Sequence, residues 1–184
     1  MKSTLAITAV IFTLLIVSMP LVFSDNDEEW GESEHSTKQF TNTKHPVYEE
    51  ECGSCHMAYP AGLLPSRSWD KLMAGLEDHF GDNAELLPET HKVIRDYLAA
   101  HSADHQSSRL SRKFLYSVDT NSSPLRITET AYFKRKHDEI PARMVTGNSK
   151  VNSFSNCNSC HMNAVKGVFS EDDVRIPGYG RWDD

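Results

Sequence analysis

The chain has 184 residues, a hydrophobic fraction of 39% and a formal net charge of −7 at pH 7. That length holds one ordinary domain or two small ones, and the excess of acid argues against nucleic acid as a partner. Part of the apolar fraction lies in an N-terminal run that would not enter a core, so the remaining core is thin and calls for a staple.

Residues 1–24 read as a secretory signal. Lys2 supplies the positive start, Leu5 to Val17 are apolar apart from Thr8 and Thr13, Pro20 breaks the run, and Val22 and Ser24 suit a cleavage site. Stretched toward membrane-spanning length, the same run would be an uncleaved anchor. After cleavage no stable membrane span is expected, and the formal charge becomes one unit more negative, because the signal holds Lys2 and no acid. Either outcome places residues 25 onward outside the cytoplasm, which in a bacterium means the periplasm.

Residues 25–44 carry Asp25, Asp27, Glu28, Glu29, Glu32 and Glu34 among Ser, Thr and Asn, and read as a flexible lead-in. An N-terminal domain is expected over 45–120 and a C-terminal one over 121–184. In the first, Ser66 can cap a helix in which Trp69, Leu72, Met73, Leu76 and Phe80 recur at three- and four-residue steps, ending at Gly81. A second helix starts at Pro88, buries Val93, Ile94, Tyr97 and Leu98, and fades near His101. The polar, serine-rich stretch from Ser102 to Ser123 reads as a soft boundary. A short helix is expected from about Thr128 to Glu139, stopped by Pro141. The basic clusters at Arg109, Arg112, Lys113 and at Lys134, Arg135, Lys136 read as solvated helix faces. No strand pattern of useful length is present.

The one internal repetition is Cys52-Gly53-Ser54-Cys55-His56-Met57 against Cys157-Asn158-Ser159-Cys160-His161-Met162. Two thiols separated by two residues can add across the two vinyl groups of a porphyrin, and the next residue then turns beneath the iron. Cys52, Cys55 and His56 thus form one haem-attachment unit, and Cys157, Cys160 and His161 another. A zinc site, two disulfides or a redox dithiol would also use two Cys-x-x-Cys pairs, but none needs a histidine after each pair. With nine histidines in 184 positions, that coincidence has a chance of roughly 1 in 400, so the attachment reading outweighs the others. Two covalently attached haem c groups are expected, in a mostly α protein of short helices and long loops packed around them.

The face of each iron opposite the attached histidine decides between electron transfer and chemistry on a small molecule. His79 falls on the first helical stripe and is the leading sixth ligand for the first haem, with His101, His91 and His45 as rivals. His137 follows Phe133 by four and is the only histidine between His105 and His161, which makes it the candidate for the second. Methionine is the other common axial ligand; Met73 fits its stripe as core and Met144 lies in a loop, whereas Met57 and Met162 follow the proximal histidines directly.

Glu51-Cys52-Gly53-Ser54-Cys55-His56, Ala58-Tyr59-Pro60, Leu63-Leu64-Pro65, Ser68-Trp69 and Asp78-His79-Phe80-Gly81-Asp82-Asn83-Ala84, with Leu125-Arg126-Ile127-Thr128, His137-Asp138-Glu139 and Asn156 to His161, resemble the bacterial dihaem cytochrome c family over about residues 47–178. The resemblance implies a small cytochrome c-like N-terminal domain, a C-terminal haem domain of its own kind, and low-potential bis-histidine irons with His56 paired to His79 and His161 to His137. It implies redox partner proteins such as a small oxygen-binding haem protein or a membrane cytochrome b. Electron transfer by a non-enzymatic carrier is the expected function. The alternative is a haem enzyme, a peroxidase or small-molecule reductase, with one open or displaceable axial site.

Overall fold

Short helices follow in part from the punctuation of the sequence, in which prolines and glycines flank several of the apolar stripes. The computed structural model describes Phe40 and residues 45–182. The signal expected at 1–24, and all of the lead-in expected at 25–44 except Phe40, lie outside the described residues. Among the described residues there are five α-helices: α1 (Pro46–Cys52), α2 (Ser66–Met73), α3 (Pro88–Ala100), α4 (Arg109–Tyr116) and α5 (Ala131–His137). Single 3-10 turns punctuate the loops, and a small antiparallel hairpin pairs Arg175 with Arg181 and Ile176 with Gly180. The protein is mostly α, as its sequence implies.

Proline opens α1 and α3, where a missing N–H is harmless. α3 lies against α2, burying Ile94 and Leu98 beside Trp69 and Met73. Each such aliphatic side chain contributes about 1.5–3 kcal/mol by leaving water. The Trp69 indole donates to the Ala61 carbonyl at 2.7 Å, so its one polar atom enters the core satisfied. Val93, expected on the buried face, is exposed instead.

The first helix departs from its expected course at both ends. Ser66 is inside α2, after Pro65, and is not the cap. Its hydroxyl and backbone N–H instead donate to Asp104 at 2.7 and 3.0 Å. A carboxylate from the loop after α3 therefore closes the N-terminus of α2. At the other end α2 stops at Met73, and the chain passes through a 3-10 turn at Leu76–Asp78 into a tight reversal. His79 N–H meets the Asp82 carbonyl at 2.7 Å, with Phe80 at φ 62° and Gly81 at φ 105° between them. Positive φ at both central positions marks a type I′ turn, which costs a phenylalanine some strain and swings its ring outward. Phe80, expected in the core, is 43% exposed.

α4 lies within the stretch read as a boundary. Ser108 caps it by accepting the Ser111 N–H at 3.0 Å, and Leu110 and Phe114 bury one face. α5 is capped by Thr130, whose hydroxyl accepts the Phe133 N–H at 3.3 Å, and it packs on α4. Phe40, within the expected lead-in, is a core residue: it is 3% exposed, and its N–H donates to the Gly167 carbonyl at 3.1 Å. It covers Gly62 so closely that a Cβ there would stand 2.8 Å from its ring.

Asp104 also accepts from the Ser102 hydroxyl at 2.5 Å. Burial by itself would raise its pKa, but the hydrogen bonds from Ser102 and Ser66 outweigh that and hold the carboxyl below its ordinary value. A depressed pKa gives stability that is complete above the unfolded value and is lost as pH falls through the folded one. Asp104→Ala is expected to lower unfolding free energy by about 1–2 kcal/mol at neutral pH. In urea titrations followed by circular dichroism, the difference from native should shrink as the pH drops below about 4.

Candidate functional site

Both Cys-x-x-Cys-His segments are turns that hand a histidine to a facing histidine. Cys52 ends α1, and Gly53 caps it with its N–H on the Glu49 carbonyl at 3.0 Å. A Cβ on Gly53 would lie 2.1 Å from that oxygen, so the turn toward Cys55 requires glycine. His56 follows, its Nδ1 2.8 Å from the Met57 carbonyl. That contact makes Nδ1 the protonated nitrogen and Nε2 the one available to a metal.

The I′ turn holds His79 opposite, with its ring centroid 6.3 Å from that of His56 and the planes 24° apart. At the second segment, His161 N–H closes on the Cys157 carbonyl at 2.8 Å. His137, from the end of α5, faces it with centroids 6.1 Å apart and planes at 67°. His137 Nδ1 lies 2.9 Å from the Phe133 carbonyl, and its ring is stacked on Phe133 at 3.9 Å.

A metal between two trans imidazoles, with bonds of roughly 2 Å to each nitrogen, separates the ring centroids by about 6 Å. Both pairs have that separation. Among the described residues no group of three or more His, Cys, Asp or Glu gathers as a bare-metal site, so each pair offers two ligands and no equatorial set. The donor set therefore fits a metal that brings its own four equatorial nitrogens.

Electrostatics agrees. Burial, then His137, pulls His161 down to about 4, and its buried Nδ1 has no hydrogen-bond partner. Burial, His56 and Arg126 lower His79. Neutral imidazole is the ligating form. Burial pushes the Cys52 and Cys157 thiols each up to about 11, the reverse of the low values of redox dithiols. None of the four cysteines is bridged to another.

Beside His137 and His161 opens a cavity of about 290 Å³ whose walls include Leu63, Phe114, Ile127, Phe133, Val151 and Ile176, with Cys157 and Cys160 at its edge. An apolar slot of this kind accepts the face of a porphyrin. Leu63 and Phe114 come from chain before residue 120, so the second site is walled from both halves of the sequence.

The rival histidines have other neighbours. His91 Nε2 is 2.9 Å from the Met73 carbonyl; His101 bonds the Tyr97 carbonyl through Nδ1 at 2.9 Å; His45 and His101 flank the Tyr97 ring at 5.1 and 4.7 Å. Met73 is core at 3% exposure. Two residues that the sequence motifs contained but to which no role was attached also belong to the site. Tyr59 stacks on His56 at 4.7 Å, and the Arg126 guanidinium lies 3.8 Å over the Phe80 ring, beside His79.

Paired imidazoles at two Cys-x-x-Cys-His turns in a small helical fold define a c-type cytochrome with more than one haem. The chain belongs to the dihaem cytochrome c family, which it matches over residues 48–169. It is 51% identical to a dihaem c-type cytochrome from Shewanella baltica OS155 known from its crystal structure, over 75% of this chain and 97% of that one, with a TM-score of 0.63. It is 44% identical to a dihaem cytochrome c from Rhodobacter sphaeroides, over 69% of this chain and 98% of that one, with a TM-score of 0.62. No curated protein matches it. The chain accordingly carries two covalently bound haem c groups and has a haem-based role in electron transfer. No helix among the described residues is long and apolar enough to cross a membrane.

Intact mass measurement of the holoprotein tests the attachment sites. Replacing Cys52 and Cys55 together by alanine should remove the mass of one haem, and replacing Cys157 and Cys160 should remove the other.

Proposed function

We propose that this chain is an exported, periplasmic electron carrier in which both irons are closed on both faces by imidazole. One haem is attached at Cys52 and Cys55 and ligated by His56 and His79; the other is attached at Cys157 and Cys160 and ligated by His161 and His137. The observation that carries this reading is the matched separation of the two histidine pairs, 6.3 and 6.1 Å. When bound, each haem supplies one reversible electron. The protein contributes ligand choice, burial and charge, and two imidazoles in place of a methionine keep the potential low.

Residues 45–120 and 121–184 each carry one haem in this reading. The electrons pass between redox partner proteins, with a small oxygen-binding haem protein or a membrane cytochrome b as the partner classes. An enzyme would need an open or displaceable axial position with acid–base groups above it. Against that stand His79 and His137, each facing the attached histidine at ligand distance.

The tests are spectroscopic. The reduced native protein should bind no carbon monoxide promptly; prompt binding at either haem would defeat the reading. The oxidised protein should give two different low-spin ferric signals in electron paramagnetic resonance, because near-parallel imidazole planes produce a rhombic signal and near-perpendicular ones a strongly anisotropic signal. His79→Ala should remove the rhombic signal and His137→Ala the anisotropic one, each with a high-spin signal in its place. His101→Ala should leave both.

A further inference from the structure

Tyr59 reaches both attachment segments. Its ring lies on the His56 ring, centroids 4.7 Å apart and planes at 23°. Its hydroxyl donates at 2.8 Å to the carbonyl of Ser155, 96 positions along the chain and two residues before Cys157. The same carbonyl accepts the Cys157 N–H at 3.0 Å and lies 3.5 Å from the Cys157 sulfur. The neighbouring Phe154 packs edge-on against His137 at 5.8 Å. One side chain therefore joins a ligand of the first haem to the loop that attaches the second and supports its far ligand.

Tyr59 is also held for that task. The buried Tyr48 donates its hydroxyl to the Tyr59 carbonyl at 2.8 Å, which anchors the backbone just after the first attachment turn. A half-buried hydroxyl at this position would lose hydrogen bonding to water without a partner, and the Ser155 carbonyl supplies that partner.

We propose that Tyr59 is the positioning residue that couples the two haems: its ring fixes the plane of His56, and its hydrogen bond to Ser155 holds the two centres in electronic contact. This rests on the electron-transfer reading above. Exchange between the centres moves one electron from the ferrous to the ferric side and requires no proton, so the phenol acts as a fixed contact and never as an acid.

The two functions of the side chain separate experimentally. Tyr59→Phe keeps the ring and removes the donor; Tyr59→Leu removes both; Tyr116→Phe alters a tyrosine that is 82% exposed and serves as the control. Absorbance and intact mass establish that each holoprotein carries both haems. Exchange between the haems is read from two-dimensional exchange spectra of the haem methyl protons in half-reduced protein, and the His56 plane from paramagnetic resonance of the oxidised form. Tyr59→Phe should exchange several-fold more slowly than native with both ferric signals in place. Tyr59→Leu should be slower still and should shift the rhombic signal alone. Tyr59→Phe exchanging at the native rate would overturn the role of the hydroxyl, and an unmoved rhombic signal in Tyr59→Leu would overturn that of the ring. Native protein with no detectable exchange would overturn this proposal and the electron-carrier reading together.

Discussion

The constraint on which the rest of the structure depends is the distance between two rings. A metal held from both faces by imidazole, as proposed above, would tolerate little error, and the fold sets the same separation twice, at 6.3 and 6.1 Å. It does so with four unrelated pieces of backbone: the turn after α1, an I′ turn, the last residue of α5 and a 3-10 turn. Two of the four rings are oriented through Nδ1 on a backbone carbonyl, which sets the tautomer as well as the direction. The strained Phe80 belongs to the same requirement, because the reversal that places it at positive φ is the one that turns His79 toward His56.

A fold made this way cannot be stabilised by its helices alone. α1 and α5 have seven residues each and α2 and α4 eight, well below the roughly 12–15 at which an isolated helix becomes even marginal. Leu63, Phe114, Ile127 and Phe133 line the cavity beside His137 and His161. They are already almost fully buried, and a haem seated in that cavity would pack on them as part of the core. Phe40 adds a second closure, since it reaches Gly62 on one side and Gly167 and Phe169 on the other.

What could be read from the sequence was chemistry at short range. Cys-x-x-Cys-His is legible because the spacing is itself the reaction geometry, and α3 because Pro88 opens it and Ile94 and Leu98 mark its buried face. α4 was hidden: only Leu110 and Phe114 carry its pattern, and its cap, Ser108, is one serine among several. The stripe from Trp69 to Phe80 suggested one continuous helix, but periodicity carries no information about a positive φ, and the helix breaks at Met73. The basic clusters read as separate solvated faces converge, because α4 packs on α5 and brings Lys113 and Arg135 to 5.9 and 5.2 Å from the Tyr132 ring. The link from Tyr59 to Ser155 had no local signature, since it spans 96 residues.

The two attachment sequences are nearly identical, yet the sites they build are not. The first follows an α-helix, leaves Cys55 exposed, and faces a histidine that stands beside Arg126 and the half-exposed Phe80. The second follows an irregular loop and faces a histidine stacked on Phe133, and burial lowers the pKa of its own His161. Burial disfavours the extra positive charge of ferric iron, and a nearby guanidinium does the same through space. On the proposed ligation the first centre would feel the exposed, salt-screened cation more and the second the exclusion of water more, so ionic strength would act more strongly on the first. Repetition of the pentapeptide thus duplicates a mode of attachment and leaves the redox environment to the surrounding fold.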